Sequence, residues 1–308
     1  MLEIIDLSVQ FQMHNQVITA LEHANLKIKN GEKIAIIGES GSGKSVLALA
    51  ILGLLPENAI VTGKILLDGD DLLKKTSKDM TKILGTKLSY VPQGSGNSLN
   101  PLLKIGYQVS ESLIEHKRIT RKDAFKRSKE LLKRFHLEQE DYLVSSYPHI
   151  LSGGMSQRVL LALGIAPEAP YLIADEPTKG LDEERIGLVT ECFQSLNSCT
   201  LLCVTHDLNF AEKIADKIAI VYAGQIIEYG RSEDFFKSPM HPYSKALLNA
   251  VPERGLIAIK GFSRGHHESR DQCRFYERCP VRIKQCEHEE PKNRFLEDGM
   301  VKCFYADS

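Results

Sequence analysis

The stretch Gly38-Glu39-Ser40-Gly41-Ser42-Gly43-Lys44-Ser45 decides the fold of this chain. An apolar run at residues 34–37 precedes it as a predicted buried strand, and an apolar helical run at residues 46–55 follows it. A strand, a glycine-rich loop and a helix are the context in which the pattern G-x-x-x-x-G-K-[ST] binds nucleotide phosphates. The stretch therefore predicts a phosphate loop within an α/β fold.

Each residue type in this loop has a chemical reason. The glycines let backbone N–H groups approach phosphate oxygens, and the helix that starts there adds the positive end of its dipole. We expect Lys44 to reach the β- and γ-phosphates and the Ser45 hydroxyl to ligate Mg²⁺.

Bulk composition excludes several classes of protein. At 308 residues, with 43% hydrophobic and 26% charged residues, the chain is long and apolar enough to fold. The net charge of -1 argues against a broad nucleic-acid surface. No apolar run approaches the roughly 20 residues of a membrane span, and residues 1–4 do not begin a signal peptide. We expect a soluble cytoplasmic protein that is able to dock on a membrane protein.

The remaining pattern predicts the fold class. Alternating apolar residues at 7–11 and the runs at 17–28 and 63–68 predict an antiparallel β subdomain, and residues 94–165 are predicted to hold a helical subdomain. Buried strands at 171–174 and 200–205 end in polar residues, which is where open α/β sheets bind ligands. We predict an ATPase module at residues 1–235 and a small cysteine-rich extension at residues 236–308.

A basic run lies in the predicted helices. A solvated helix face is favoured over nucleic-acid binding for it. Its members are Arg118, Arg121, Lys122, Lys126, Arg127 and Lys129.

Four further motifs narrow the class, in order along residues 38–206. The chain resembles the ABC ATPases at a loop glutamine (Gln93), a signature peptide (Leu151-Ser152-Gly153-Gly154-Met155), an acidic motif with its following loop (Tyr171–Glu176, then Gly180-Leu181-Asp182) and a switch histidine (His206). It departs from common patterns at Gly94, Met155 and Lys179, and none of these departures removes a catalytic group.

Chemical reasoning assigns roles to the acidic motif and its neighbours. Asp175 is suited to hold Mg²⁺ through water, and Glu176 to polarise the water that attacks the γ-phosphate. Gln93 can reach Mg²⁺ or the attacking water, and His206 can sense the γ-phosphate. Phe11 is a candidate for adenine stacking by resemblance, and an ordinary core aromatic is the alternative.

The signature peptide offers a hydroxyl and bare glycine amides before a helix, which is an anion-binding arrangement. The resemblance implies that these residues bind the ATP held by a second subunit, so that two sites form only in a closed head-to-tail dimer. Asp182 lies in the loop that follows the acidic motif.

Two further segments, Ser98-Leu99-Asn100-Pro101 and His241-Pro242-Tyr243, resemble the oligopeptide/dipeptide/nickel importer ATPases. The resemblance implies a second ATPase subunit, commonly a paralogue, two transmembrane permease subunits and an extracytoplasmic substrate-binding protein. It places the chain on the cytoplasmic face of the cell membrane, with residues 97–165 receiving a permease helix. Peptides and nickel-type complexes both remain open as cargo.

Four of the seven cysteines crowd the C-terminal tail as Cys273-x5-Cys279-x6-Cys286-x16-Cys303. In a reducing compartment this spacing favours metal over disulfides. The resemblance implies a structural [4Fe–4S] cluster, whereas zinc and metal-free cysteines are the alternatives.

Two other functions compete with transport. A soluble ABC ATPase acting on DNA, ribosomes or cluster assembly is one, but neither a long coiled-coil insertion nor a second ATPase domain is present in the sequence. A nucleotide-gated clamp without turnover is the other, and the intact Glu176 and His206 argue against it.

Overall fold

The computed structural model describes residues 1–14, 16–94, 98–117, 119–262 and 271–306. The strands in chain order are β1 (Leu2–Met13), β2 (Gln16–Ile28), β3 (Lys33–Ile37), β4 (Ala59–Leu67), β5 (Asp70–Asp71), β6 (Leu88–Val91), β7 (Tyr171–Asp175), β8 (Thr200–Thr205), β9 (Lys217–Tyr222), β10 (Gln225–Arg231), β11 (Arg294–Leu296) and β12 (Gly299–Val301). The helices are α1 (Lys44–Leu52), α2 (Ser77–Ile83), α3 (Ile105–Lys117), α4 (Arg121–Arg134), α5 (Glu140–Ser145), α6 (Gly153–Ile165), α7 (Glu183–Gln194), α8 (Leu208–Ile214), α9 (Ser232–Lys237), α10 (Pro242–Asn249) and α11 (Gln285–His288).

The chain forms two compact units. The first contains Met1–Lys29, Ile34–Lys74 and His206–Ser308, and the second contains Asn30–Lys33 and Lys75–Thr205. The tail therefore packs in the same unit as the phosphate loop. The sequence predicts a boundary between the ATPase module and the cysteine-rich extension at residue 235. The two compact units do not test that boundary, so it stays a prediction.

The first unit has two sheets. The predicted antiparallel subdomain is confirmed in the order β2-β1-β4-β5. In the other sheet β3 runs parallel to β9, with Ile36 opposite Ala219, and β9, β10, β12 and β11 continue as antiparallel neighbours. Strand β3 is buried almost throughout, as its uninterrupted apolar run predicts.

The core of the first unit draws on both ends of the chain. Side chains of β3 and β9 pack with the aromatic residues Tyr222, Tyr243 and Phe275. Cys273 and Cys286 belong to the same cluster. The cysteine-rich tail thus shares the core of the sheet that leads into the phosphate loop.

The second unit is built on the parallel strands β8, β7 and β6, with Leu172 opposite Leu201 and Ser89. The predicted helical subdomain contains the separate helices α3, α4, α5 and α6. The Thr120 side chain accepts a hydrogen bond from the Asp123 amide and caps α4. In α4 the buried residues are Ala124, Ser128 and Leu132, whereas Lys122 and Lys126 are exposed. That pattern is typical of a solvated helix face; Arg118 of the basic run lies outside the described residues.

Candidate nucleotide-binding site

The phosphate loop joins β3 to α1 in the first unit and is tightly folded. The Ser42 amide donates to the Glu39 carbonyl at 3.2 Å, and the Leu47 amide donates to Gly43 at 3.0 Å as the helix begins. Gly41 and Gly43 adopt φ values of 78° and 104°, which L side chains rarely adopt. The backbone therefore makes the turn that a phosphate-binding loop needs at the start of a helix.

Lys44 is the first residue of α1 and its side chain is buried. Its ammonium donates to the carbonyls of Gly38 and Glu39, both at 2.8 Å. Ser45 beside it is half-buried, and Ser40 and Gly41 are exposed. Two carbonyl groups of the loop thus bind the Lys44 ammonium, while Ser40 and Gly41 are accessible to a ligand.

Gly43→Ala is expected to destabilise the first unit and to weaken nucleotide binding. A Cβ on Gly43 would lie 2.5 Å from the Ala20 carbonyl oxygen, at a φ that already strains any L residue. We expect a cost of about 1–3 kcal/mol in the free energy of unfolding, measured by thermal or denaturant unfolding. Gly41→Ala is the matched control, since it has a φ of +78° but nothing within 4 Å of its Cβ. Equal losses in both variants would contradict the steric argument.

Two other predicted site residues, Phe11 and His206, belong to the first unit. Phe11 lies half-buried in β1, opposite Ile18 of β2 and Ala59 of β4. His206 is exposed directly after β8, and Asp207 caps α8 by accepting from the Phe210 amide. Adenine stacking by Phe11 and γ-phosphate sensing by His206 stay predictions.

The acidic pair lies at the end of β7 in the second unit. Asp175 and Glu176 are 2% and 6% exposed, so both carboxyl groups are held in a largely dry environment. Glu176 has a φ of 51°, and its amide donates to the Val204 carbonyl at 2.8 Å. A non-glycine residue in this region is uncommon and clusters at functional sites. The backbone therefore holds Glu176 in the left-handed region, and its catalytic role stays a prediction.

Neighbouring side chains support this pair. The buried Gln157 amide donates to the Pro177 carbonyl at 3.3 Å, which links helix α6 to the acidic motif. Burial, and then the charge of Asp175, raise the pKa of Tyr90 to about 12, so this phenol stays neutral beside the carboxylate. Gln93, two residues beyond β6, is exposed. Neither contact could be predicted from the sequence, because only the packing of Gln157 and Tyr90 reveals it.

The signature peptide begins helix α6. Ser152 accepts a hydrogen bond from the Met155 amide at 3.3 Å and caps the helix. Ser152 and Gly153 are exposed, while Leu151 and Met155 are half-buried. A helix of 13 residues with an exposed, glycine-containing first turn is suited to bind an anion.

The signature helix is held firmly within the second unit. The buried Arg158 guanidinium donates to the carbonyls of Phe135 and His136 at 3.1 and 2.9 Å. Asp182 caps α7 by accepting from the Arg185 amide at 3.0 Å, and it pairs with the Arg185 guanidinium. A Cβ on Gly154 would lie 3.6 Å from Leu181, next to Asp182. The signature and the loop after the acidic motif thus form one surface of this unit.

The four tail cysteines are free thiols in the first unit. Burial raises the pKa of Cys273 to about 12 and raises the pKa of Cys279 and Cys303, with smaller contributions from the other tail cysteines. Within the described residues, no group of three or more His, Cys, Asp or Glu side chains is arranged to hold a metal ion. The predicted [4Fe–4S] or zinc occupancy is therefore not supported by a formed site.

The described part of the chain contains no helix long and apolar enough to cross a membrane.

Comparison with known proteins identifies the class that this arrangement defines. A family model described as "ABC transporter" matches residues 21–179, and one described as "Oligopeptide/dipeptide transporter, C-terminal region" matches residues 227–286. The chain is similar to a solved dimeric bacterial ABC transporter cassette, with a TM-score of 0.69 and 30% identity over 75% of this chain and 99% of that one. The same cassette solved in a post-hydrolysis state with ADP and Pi gives the same values.

Sequence relatives agree over almost the full length. The chain is 37% identical to the oligopeptide transport ATP-binding protein AppD of Bacillus subtilis (strain 168), over 99% of this chain and 96% of the relative. It is 36% identical to the dipeptide transport ATP-binding protein DppD of Escherichia coli (strain K12), again over 99% and 96%. This chain belongs to the ABC transporter family and is an ABC-type ATPase. The predicted family and the predicted α/β fold of an ABC cassette are confirmed, and the separate cysteine-rich extension stays a prediction.

Proposed function

We propose that this chain is the ATP-hydrolysing subunit of a membrane importer for peptides or related small solutes. The observation that carries the proposal is that one chain combines a folded phosphate loop, the buried pair Asp175-Glu176 and an exposed, capped signature helix. The relatives' names supply the cargo class, since they describe oligopeptide and dipeptide transport. None of the relatives named here is described as a nickel transporter, so nickel import is the weaker alternative.

The phosphate loop would bind the ATP phosphates through its backbone and Lys44. The oxygen groups of Ser45, Asp175 and Gln93 are of the kind that Mg²⁺ prefers, and bound Mg²⁺ would neutralise phosphate charge. Glu176 would accept a proton from the attacking water. His206 would contact the γ-phosphate and so sense its presence, and Gln93 would orient the attacking water.

The signature helix would complete the site of a second ATPase subunit. Ser152 and the following glycines lie at the exposed start of α6. They would bind the ATP held by the second subunit and not the ATP held by their own chain. ATP would hold a head-to-tail dimer closed, and hydrolysis would release it. A paralogue as second ATPase, two permease subunits and an extracytoplasmic binding protein are the proposed partners, at the cytoplasmic face of the membrane.

The proposal is tested by purifying the tagged chain from its native membranes. We expect two polytopic membrane proteins and a second ATPase to co-purify, and ATP hydrolysis in the reconstituted assembly to rise with a peptide-loaded binding protein. Stimulation by nickel complexes but not peptides would favour the alternative cargo. Co-purification with ribosomes or DNA instead would overturn the transport assignment.

We also propose that Cys273, Cys279, Cys286 and Cys303 hold a [4Fe–4S] cluster with a structural role. Support comes from the sulfur of Cys303, which accepts a hydrogen bond from the Tyr305 amide at 3.3 Å, and from backbone amides that lower the pKa of Cys273 and Cys279 against the larger effect of burial. Such amides stabilise thiolate ligands, and four thiolates suffice for a cluster. When bound, the cluster would cross-link the tail.

Iron and acid-labile sulfide analysis of anaerobically purified protein tests the cluster. We expect both elements together with visible absorption, and their loss in a Cys279→Ser variant. Cys199→Ser, which removes a half-buried thiol outside the tail, is the control. Zinc without iron would refute the cluster, and so would metal-free protein.

A further inference from the structure

Arg278, in the tail, contacts Glu39, the second residue of the phosphate loop. Their side chains form a two-pronged ion pair, with Nη1 donating to Oε2 at 2.9 Å and Nη2 donating to Oε1 at 2.8 Å. The Arg278 side chain is 6% exposed and that of Glu39 29% exposed. A bidentate, charge-assisted pair shielded from water fixes orientation as well as distance.

Arg278 is itself held in place on several sides. Nη1 also donates to the Tyr222 hydroxyl at 3.2 Å, and Nε donates to the Lys260 carbonyl at 3.1 Å. Its guanidinium lies 5.7 Å from the ring centre of Tyr222 and 5.9 Å from that of Phe275. Hydrogen bonding to Glu39, above all, raises the pKa of Arg278, so its charge is permanent. The guanidinium is therefore a fixed anchor for Glu39.

The polar groups of Glu39 are all engaged within the same unit. Its amide donates to the Tyr243 hydroxyl at 3.2 Å, and its carbonyl accepts from Lys44 at 2.8 Å and from the Ser42 amide at 3.2 Å. Its carboxylate binds Arg278. A movement of Glu39 would therefore move the carbonyl oxygen to which the Lys44 ammonium donates a hydrogen bond.

A second arginine of the tail holds the other side of the loop. Arg274 donates to the Ala223 carbonyl and pairs with Glu22. The next residue, Gly224, donates its amide to the Ser42 carbonyl at 3.0 Å. The short segment 274–278 thus reaches the phosphate loop at both Glu39 and, through Gly224, Ser42.

We propose that Arg278 is a positioning residue for ATP binding, acting through Glu39 to hold the phosphate loop and Lys44 in their binding conformation. Tail residues 274–278 then support the nucleotide site through their contacts with the phosphate loop and its neighbours, without contacting the nucleotide themselves. The inference rests on ATP binding as proposed above.

The test is a double-mutant cycle on the full-length chain, measured as the affinity for a fluorescent ATP analogue with Mg²⁺. We expect Arg278→Gln to weaken binding about tenfold, in line with the loss of one charge-assisted pair. Glu39→Gln should weaken it similarly, and Arg278→Gln should add little in the Glu39→Gln background. In the assembled ATPase the KM for ATP should rise while kcat stays near the wild-type value.

Controls separate positioning from general stability. Arg282→Gln removes an exposed arginine of the same tail, whose guanidinium lies over Tyr276, and should leave affinity unchanged. If Arg278→Gln fails to fold, Glu39→Gln and Arg278→Lys, which keeps the charge but loses the fork, carry the test by the same affinity. Unchanged affinity in Glu39→Gln, or fully additive losses in the cycle, would overturn the inference. Failure of the wild-type chain to bind the analogue would instead refute the proposed function.

Discussion

Glu176→Gln is expected to bind ATP with nearly wild-type affinity and to lose almost all turnover. The amide occupies the same buried position after β7 but cannot accept a proton from water. Loss of a general base costs about 10²–10⁴-fold in rate. Because ATP is retained, the variant should also accumulate as a closed dimer of ATPase subunits.

The measurement is steady-state phosphate release by the assembled complex, together with size-exclusion chromatography in ATP and Mg²⁺. Glu191→Gln is the matched control, since Glu191 is an exposed carboxylate on α7. The backbone strain at Glu176 is unchanged by the substitution, so folding should be preserved. Unchanged hydrolysis would remove Glu176 from the catalytic role, and loss of ATP binding would show that its part is structural.

Lys44→Ala is expected to lose nucleotide affinity by about 100-fold. Hydrogen bonds to charged groups contribute about 1.5–3 kcal/mol, and each 1.4 kcal/mol is tenfold in Kd. The variant also leaves the Gly38 and Glu39 carbonyls without the ammonium that binds both in the structure. The lost contact with phosphate and the lost support of the loop both lower the affinity for ATP.

Lys33→Ala separates these two effects for Lys44. Lys33 likewise donates to two backbone carbonyls, those of Phe193 at 2.8 Å and Gln194 at 3.1 Å, but lies in the second unit. We expect it to lower the melting temperature by a similar amount and to keep ATP affinity. Calorimetric titration with ATP and Mg²⁺ decides the matter, because tight binding by Lys44→Ala would contradict the phosphate-loop assignment.

Local patterns predicted much of this fold. Strand β3, the glycine loop and α1 follow one another within 20 residues, so hydrophobic period and glycine placement suffice to recognise them. The turn at Ala223-Gly224, which joins β9 to β10, is likewise a local sequence signal. The acidic pair, the signature and the loop glutamine each carry a sequence pattern, and the structure places them at a strand end, a helix start and a loop.

Contacts between distant residues could not be predicted in this way. Glu39 binds Arg278 across 239 residues and Tyr243 across 204 residues. Nothing in the local sequence of Arg278 distinguishes it from the exposed Arg282 four positions later. In the sequence, His241-Pro242-Tyr243 indicates only a family feature, and the hydrogen bond of its tyrosine to the phosphate loop forms only once α10 is packed.

The cysteine-rich tail shows the opposite limit. The spacing of the cysteines favours a metal site in a small extension, whereas Cys273 and Phe275 are buried in the core shared with β3 and β9. Hydrophobic contact, which spacing cannot reveal, already attaches this segment to the sheet.

The first unit is assembled from both ends of the chain, and this affects how the protein folds during synthesis. Residues 75–205 leave the ribosome as a continuous segment, whereas β3 must wait for β9 and the tail core. At about 5–20 residues per second, the phosphate loop is made on the order of ten seconds or more before its neighbours exist. Chains stalled or cut short before residue 206 would therefore lack the β9 and tail side chains that pack against β3, and we expect them to be substrates for chaperones and proteases.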